Sequence, residues 1–456
     1  MSTTQGAIAA TRFGLGARPG EIAAATSDPR GWLLDQLKRT AAVSLAQQPL
    51  PTGQEGAAKV VEYTQLVRQQ RQSGDPDAQM ELQRALRSAR RDGFGRELIA
   101  RAALAERTDA SFNERWVRFW SNHFTVAITQ PLILPLVGPY EREAIRQNAF
   151  GSFRDLLQAT SFHQTMLVYL DNIRSFGPST RIAQRRGVGL NENLAREILE
   201  LHTLGVDGGY TQQDVTEFAK ALTGWTIKSP PLANSDIGAV TFEPRLHEPG
   251  ARTVLGQRVS EGADQASAVL DMAAAHPSTA THIATKLARH FVADMPPQSA
   301  ITTLSRAFRD TGGDLTELAK AVINLDAAWG EEQVKFKSPD ELLVSTARMV
   351  GSTNVFGGGQ ARDVYTSFGQ VPFYAPSPQG WPDTASEWAG PDAIMKRLEW
   401  ANLVAQRTPS DIAAGQFLDE GLGPLVSADT RQAVARAESA IQGLTLALMS
   451  PEFQRR

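Results

Sequence analysis

The stretch from Asn191 to Trp225 reads NENLAREILELHTLGVDGGYTQQDVTEFAKALTGW and decides the fold class. Its first half has an apolar stripe at the spacing of a helix that turns about 100° per residue. That stripe consists of Leu194, Ile198 and Leu201. After a pair of glycines, Thr211 and Asp214 have the spacing of a helix-capping box. The stretch therefore predicts one helix from Asn191 to Leu204 and a second from Thr211 to Leu222.

Helical periodicity also dominates the sequence on both sides of this stretch. Amphipathic segments from Ala57 to Arg71 and from Met80 to Glu106 are separated by a Gly-Asp-Pro break and predict a helical hairpin. Near the end of the sequence, Arg431 to Met449 predicts one further helix. Around residues 226–260 the pattern changes to short extended runs, which predict a small extended or β-hairpin insertion. The predicted fold is therefore mainly α, a large multi-helix domain that carries this insertion.

The predicted division of the chain places an N-terminal segment with the helical hairpin at residues 1–107. A main helical domain follows at residues 108–456. One continuous domain is the alternative, because the sequence shows no alternation of strands and helices that would set up a separate parallel sheet.

Composition and charge exclude several classes of protein. Hydrophobic residues make up 42% and charged residues 21%, which is typical of a soluble globular protein with a sizeable core. The net charge is −3 and no basic stripe occurs, so nucleic acid is not a predicted partner. No apolar run approaches the roughly 18–20 residues of a membrane span. The chain has no cysteine, which excludes disulfides, thiolate nucleophiles and iron–sulfur clusters.

Charged residues crowd one side of the first predicted helix in the central stretch. Asn193, Glu197 and Glu200 form a polar stripe, and Glu192 and Arg196 flank it. At a spacing of three residues, the two glutamates of the stripe repel each other, which raises the pKa of one and favours an acid/base pair. The same residues also fit an internal salt-bridge network, since such networks perturb pKa values too. The sequence leaves both interpretations open.

Three histidines are candidates for proton transfer, each with a structural alternative. His202 ends the first predicted helix, where it either caps free carbonyl groups or belongs to a second face. His123 follows the WVRFWSN segment, whose aromatic residues at helical spacing predict core positions. His247 lies in the extended LHEPG segment, and loops often carry functional residues. His163 lies at a predicted helix start, where a cap or surface role suffices, and the three other histidines have no acidic cluster beside them, so none of the four is a predicted site residue.

The remaining polar residues of the central stretch predict a binding surface for an oxygen-rich substrate. Those residues are Asn191, Glu192, Asn193, Arg196 and Trp225. A divalent metal held by carboxylate and imidazole groups, such as iron, manganese or zinc, is left open because the spacing gives no geometry. The segment QVPFYAPSPQGWPDTASEW is interpreted either as a groove for a carbohydrate or peptide or as irregular chain packed over the core.

Several strings together resemble the bacterial family known as domain of unknown function 1800. They are RFGLGARPGE, RWVRFWSNHF, FRDLLQAT with MLVYLDN, the central stretch, FEPRLHEPG with TVLG, KSPDELL and SPEF. The resemblance implies a mostly helical fold. It also implies a partner, because members tend to be encoded beside exported proteins that resemble alkaline phosphatases and carry Tat-type signals. It implies no particular reaction.

The N-terminus shows neither a basic region nor a long apolar region of a signal peptide, which predicts a cytoplasmic location. This differs from the exported members of the family that the chain resembles. Periplasmic location through the Tat signal of the co-encoded partner is the alternative.

Two functional hypotheses follow. In the first, the protein is a hydrolase-like or other acid/base enzyme in which Glu197 or Glu200 is the base and His123 or His247 transfers a proton. In the second, it is a non-catalytic binding or assembly partner of the co-encoded exported protein, since no standard nucleophile or metal motif is present.

Overall fold

The computed structural model describes residues 3–39, 49–73, 76–230, 234–357, 361–408 and 412–456. Within these residues helices predominate and the strands are few and short, which confirms the predicted mainly α class. The Gly74-Asp75 turn of the predicted helical hairpin lies outside the described residues. The two helices that flank it, Gly53–Ser73 and Pro76–Ser88, pack against each other.

The α-helices of the described residues are numbered in chain order. In the first half they are α1 (Thr3–Ile8), α2 (Glu21–Thr26), α3 (Pro29–Leu37), α4 (Gly53–Ser73), α5 (Pro76–Ser88), α6 (Arg96–Arg107), α7 (Ser111–His123), α8 (Val137–Tyr140), α9 (Phe153–Ser161), α10 (Gln164–Tyr169), α11 (Arg181–Arg186), α12 (Asn193–Glu197) and α13 (Gln212–Leu222). In the second half they are α14 (Gln265–Ala275), α15 (Pro277–Phe291), α16 (Gln298–Asp310), α17 (Leu315–Ile323), α18 (Pro339–Val350), α19 (Ala361–Ser367), α20 (Ala385–Trp388), α21 (Pro391–Arg407), α22 (Ala414–Gly421), α23 (Ala428–Ala435) and α24 (Ala440–Met449). Short 3₁₀ turns are Pro131–Ile133, Asn172–Arg174, Pro244–Leu246, Asp326–Trp329, Thr353–Phe356 and Gly423–Leu425.

Several α-helices continue directly into π-helical turns. These turns are Ala9–Phe13, Ala89–Gly95, Glu141–Arg146 and Ile198–His202. The last of them corrects the prediction of one unbroken helix from Asn191 to Leu204, because α12 is short and the π turn follows it. A π turn places more residues in each turn than an α-helix does, so it changes the direction in which the following side chains point. His202 therefore does not point where an ideal wheel would put it.

The predicted insertion consists of two small antiparallel hairpins. Strand β1 (Trp225–Ile227) pairs with β2 (Val240–Phe242), and β3 (Arg252–Val254) pairs with β4 (Gln257–Val259). The amide nitrogen of Leu255, in the turn between β3 and β4, donates to Asp214 Oδ1 at 2.7 Å. The predicted capping box of Thr211 and Asp214 is present at the start of α13, so one carboxylate both caps this helix and holds the second hairpin on it.

Buried arginines join the N-terminal helices to the rest of the protein. The side chain of Arg348 on α18 is fully buried and donates to the carbonyl oxygens of Gly16 at 2.8 Å and Ala105 at 2.7 Å. It also donates to both carboxylate oxygens of Glu21, at 2.8 and 2.9 Å. Because charged hydrogen bonds to buried groups are costly to leave unmade, these contacts fix the position of the N-terminal residues.

Helix α7 connects the core with the candidate site. Trp116, Phe119 and Trp120 are buried, as their helical spacing predicts. The indole nitrogen of Trp116 donates to the carbonyl oxygen of Ala149 at 2.7 Å, so burial of this large ring leaves no orphaned donor. The opposite side of α7 carries arginines and Asn122, which face a cavity.

Candidate functional site

A cavity of about 630 Å³ lies between α7, α15, the start of α18 and the irregular segment at residues 370–387. Such a volume is typical of small-molecule sites. Its walls combine apolar residues such as Phe119 and Phe373 with many charged groups. A ligand would bind to the charged groups that neighbouring residues do not already neutralise.

Helix α15 supplies the polar wall of the cavity. His282, Lys286, Arg289 and His290 follow one another at intervals of four, three and one residues, and all line the cavity. The other face of this helix is fully buried and consists of Ile283, Leu287 and Phe291. The two stripes are visible in THIATKLARHF, so amphipathicity alone could have indicated these residues. From sequence, His282, His290 and Lys286 have no predicted role.

The opposite wall is the irregular segment at residues 370–387, which Asn122 holds in place. The side-chain amide of Asn122 donates to the carbonyl oxygen of Trp381 at 2.9 Å, and the amide nitrogen of Trp381 donates to Asn122 Oδ1 at 2.8 Å. Gly380 has φ +89°, and a Cβ there would lie 2.4 Å from the Asn122 carbonyl oxygen. The close approach therefore requires glycine. The segment lines the cavity, as the groove interpretation of the sequence expects.

Asp383 holds the C-terminal part of the same segment in place. Its carboxylate accepts from His290 Nδ1 at 2.6 Å and pairs with Lys335 Nζ at 3.0 Å. Although burial raises the pKa of Asp383, the neighbouring His290 and Lys335 lower it well below the usual range. Asp383 is therefore ionised and neutralises cations that approach the cavity from two elements.

Most of the arginines around the cavity are neutralised in the same way. Arg115 donates to Glu341 at 2.6 Å, and Arg118 donates to Asp340 at 2.5 Å. Arg101 pairs with Glu141 at 3.1 Å. Burial raises the pKa of Asp340, but Arg118 and Arg101 outweigh this and lower the pKa to about 2. These pairs form a balanced ionic network, so none of them needs a ligand.

Lys286 and Arg289 differ from these arginines. In the part of the chain that the structure describes, no carboxylate lies within 4.0 Å of either cation. Burial lowers the pKa of Lys286 to about 8, and the attraction of Asp383 does not compensate for it. An amine with such a pKa is partly neutral close to physiological pH, which suits a base or a nucleophile. These two residues therefore give the cavity an unneutralised cationic wall.

A cluster of three imidazoles adjoins Lys286. The rings of His202 and His282 each lie 6.1 Å from that of His123. His123 Nε2 donates to the carbonyl oxygen of His202 at 3.0 Å, and His282 Nε2 donates to that of Leu201 at 3.0 Å. Two histidines from other helices thus cap the free carbonyl groups at the end of the π turn. Because each capping ring donates through Nε2, its Nδ1 carries the lone pair in the neutral form.

These imidazoles are neutral at physiological pH. Burial, followed by repulsion from Lys286, lowers the pKa of His202 to about 3 and that of His282 to about 4. The same two causes lower the pKa of His123 well below its usual value. Nδ1 of His123 is buried and has no hydrogen-bond partner among the described residues. The cluster therefore places three neutral imidazoles beside Lys286.

We expect the free energy of unfolding to fall as the pH is lowered from about 6.5 to about 4. In this window the unfolded chain protonates His123, His202 and His282 while the folded protein keeps them neutral, so acid favours unfolding. Glu97, whose pKa burial raises to about 7, and Glu197, whose pKa is also raised, act in the opposite direction, but they are two groups against three. Urea unfolding at pH 7.5, 6 and 4.5 measures the effect. A midpoint that stays constant or rises on acidification would contradict it.

The two candidate glutamates of the central stretch differ in position. Glu200 lines the cavity, and the hydroxyl of Tyr210 donates to it at 3.5 Å. Glu197 is partly buried beside it and does not line the cavity. Burial, and secondly repulsion from Glu200, raise the pKa of Glu197. Of the predicted catalytic residues, Glu200 and His123 thus border the same cavity, and His202 lies directly behind His123.

The other polar residues at the start of the central stretch lie away from the cavity. Arg196 donates to Glu192 at 3.1 Å and to Gln212 at 2.9 Å on a partly exposed surface. Asn191 Oδ1 accepts from the amide nitrogen of Asn193 at 2.9 Å, which stabilises the first turn of α12. None of these four predicted binding residues lines the cavity.

His247 and Trp225 belong to the hairpin region. His247 Nδ1 donates to the carbonyl oxygen of Thr223 at 2.8 Å, and the Trp225 ring packs 4.4 Å from Phe162. The structure therefore brings neither residue to the cavity that His123 borders. Sequence could not separate them from the others, because an ordinary loop histidine and a catalytic one look alike in a single chain.

Metal binding has no preformed cluster in the part of the chain that the structure describes. There, no group of three or more histidine, aspartate or glutamate side chains could hold an ion. The described helices also include none long and apolar enough to cross a membrane.

Comparison with models of protein families gives a match over almost the whole chain. The model of a family described as protein of unknown function, DUF1800, matches residues 8–455. Neither a curated protein nor a solved structure matches the chain.

Proposed function

We propose that this chain, which belongs to the DUF1800 family of proteins of unknown function, is an enzyme. The family description names no activity, so the proposal is based on the cavity. Its substrate is a small, oxygen-rich anion, and its chemistry is proton transfer. Lys286 and Arg289 bind the anionic group. Lys286 also serves as the acid/base group, with Glu200 as a second base on the neighbouring wall and the neutral imidazole of His123 behind it.

One observation carries this proposal. Lys286 lines the cavity without a carboxylate in ion-pair distance among the described residues, whereas Arg101, Arg115 and Arg118 are all paired. A protein that used this region for stability alone would gain from neutralising a partly buried cation, because an unpaired buried charge is costly. An anionic ligand removes that cost, so the unpaired lysine indicates where the ligand binds.

Anion binding tests the proposal directly. Isothermal titration calorimetry with inorganic phosphate, lactate and citrate should detect binding of at least one of them to the native protein. Lys286→Met should weaken that binding by about tenfold or more, because it removes a charged hydrogen bond. Lys396→Met is the matched control, because Lys396 is exposed and pairs with Asp392 on α21. Failure of all three anions to bind, or equal binding by the Lys286 variant, would contradict the proposal.

The two glutamates supply a second test of the proposed site. Glu200→Gln should change ligand affinity or its pH dependence and leave the melting temperature nearly unchanged, because Glu200 borders the cavity. Glu197→Gln should also leave the melting temperature nearly unchanged, because it removes a carboxylate whose ionised form burial disfavours. A loss of several degrees for Glu200→Gln without any effect on ligand binding would assign Glu200 to stability instead.

A further inference from the structure

Lys286 has two neighbours on α15 that suit covalent chemistry. His282 precedes it by four residues and Arg289 follows it by three, so all three side chains share one helix face. All three line the cavity. His282 donates through Nε2 to the carbonyl oxygen of Leu201, which leaves Nδ1 as its basic nitrogen. The face therefore combines an amine, a neutral base and a guanidinium that no carboxylate of the described residues neutralises, although its Nε donates to the carbonyl oxygen of Asp294 at 3.3 Å.

We propose that Lys286 binds a small 2-oxo acid covalently, as an iminium between its Nζ and the ketone carbon, while Arg289 holds the carboxylate. This inference rests on the function proposed above and names its substrate class. A 2-oxo acid suits the site because its carboxylate and its reactive carbonyl carbon are adjacent, as Arg289 and Lys286 are. A guanidinium also binds a carboxylate in a planar, bidentate manner.

The step balances without any outside reagent. The Lys286 ammonium gives one proton to Nδ1 of His282, and the resulting amine lone pair forms a bond to the ketone carbon. The ketone oxygen takes the proton from His282, which gives a carbinolamine. The nitrogen then loses its second proton to His282, which delivers it to the hydroxyl group. Water leaves as the carbon–nitrogen double bond forms, so one ammonium and one ketone give one iminium and one water.

Accessibility distinguishes Lys286 from the two other lysines near the site. Lys335 is 1% exposed and pairs with Asp294 at 2.6 Å. Lys337 is 2% exposed, and its ammonium lies 4.0 Å from the ring centroid of Phe453. Burial lowers the pKa of Lys337 to about 7, but a substrate cannot reach it. Geometry, rather than basicity alone, therefore selects Lys286.

Reductive trapping with pyruvate tests the inference. The full chain is incubated with pyruvate and cyanoborohydride, which reduces an iminium to a stable amine, and the adduct is located by peptide mass spectrometry. With nine lysines in the chain, the sites can be compared individually. Lys286 should carry about tenfold more adduct than any other lysine, because it lines the cavity beside His282 and Arg289 and the other lysines do not. Arg289→Met should raise the pyruvate concentration for half-maximal trapping about fivefold or more.

Lactate separates failure of this inference from failure of the proposed function, because it has the carboxylate of pyruvate but no ketone. Lys286→Arg should keep lactate binding and abolish trapping, and a thermal melt checks that this variant is folded. Lactate binding with no adduct, or with adduct spread evenly over exposed lysines, would overturn the iminium while leaving the anion site intact. Absence of lactate and pyruvate binding in the native protein would overturn this inference, and it would overturn the proposed function as well if phosphate and citrate also fail to bind.

Discussion

Replacing Glu341 by glutamine should lower the free energy of unfolding by about 3–5 kcal/mol, the typical cost of breaking a buried ion pair. Glu341 Oε1 accepts from Arg115 at 2.6 Å and pairs with Arg456 Nε at 2.6 Å. Burial raises the pKa of Glu341, but the two arginines outweigh it and lower that pKa well below its usual value. The glutamine would leave two buried guanidinium groups facing each other without a charge between them.

Urea or guanidinium unfolding measures this loss, and Glu331→Gln is its matched control. Glu331 is exposed, so its variant should change the unfolding free energy by no more than about 0.5 kcal/mol. The capping box of Ser338 and Glu341 at the start of α18 should survive the substitution, since a glutamine also fits that role. If both variants unfold at the same denaturant concentration, the ionic network does not stabilise the cavity.

Replacing Gly380 by alanine should cost about 3 kcal/mol, the second-largest effect that we expect. Adopting a left-handed conformation costs an alanine about 1–2 kcal/mol, and the forced contact adds a similar amount. At φ +89°, the new Cβ would lie 2.4 Å from the carbonyl oxygen of Asn122 and 2.8 Å from its Oδ1. The contact would push Trp381 away from Asn122 and open the cavity wall, so ligand affinity should fall together with stability.

Gly369→Ala separates the two costs. Gly369 has φ +75°, but a Cβ there would have no atom within 4 Å, so only the conformational cost of about 1–2 kcal/mol applies. The difference between the two variants in chemical unfolding therefore reports the contact with Asn122. Equal stabilities would show that the wall adapts without cost and that the Asn122 contact does not position it.

Much of the fold could be predicted because its helices are amphipathic and well punctuated. The helix predicted from Thr211 to Leu222 is present as α13, and its predicted capping box is present too. The helix predicted from Arg431 to Met449 is wrong as one element, because it divides into α23 and α24. Ser439 accepts from the amide nitrogen of Gln442 and starts a new helix there. The helical periodicity of the sequence continues from α23 into α24, so it does not reveal the N-cap at Ser439.

The π turn after α12 could not be predicted for a related reason. Nothing in the letters ILELH distinguishes a π turn from an α turn. Tertiary contacts help to define it here, because the side chains of His123 and His282 donate hydrogen bonds to its carbonyl groups. Those partners lie 79 and 81 residues away from the carbonyls that they cap.

The candidate site could be predicted only where local polarity marked it. Glu200 stood out because it belongs to a polar stripe on one predicted helix, and His123 because it follows an apolar helical pattern. Lys286 did not, since a lysine on an amphipathic helix normally faces water. Its significance depends on the wall opposite, where Asp383 reaches His290 across 93 residues of sequence. A single sequence does not show that Asp383 and His290 are in contact.

The measurement that tests the central claim most directly is the titration of the Lys286 amine. Competitive acetylation at a series of pH values, followed by peptide mass spectrometry, gives the reactivity of each lysine and hence its apparent pKa. The pKa of Lys286 should lie near 8, because its partial burial in the cavity disfavours the ammonium. A Lys286 amine that titrates at about 10.4, the value of a free lysine side chain, or that never reacts, would contradict an accessible and unpaired amine in the cavity.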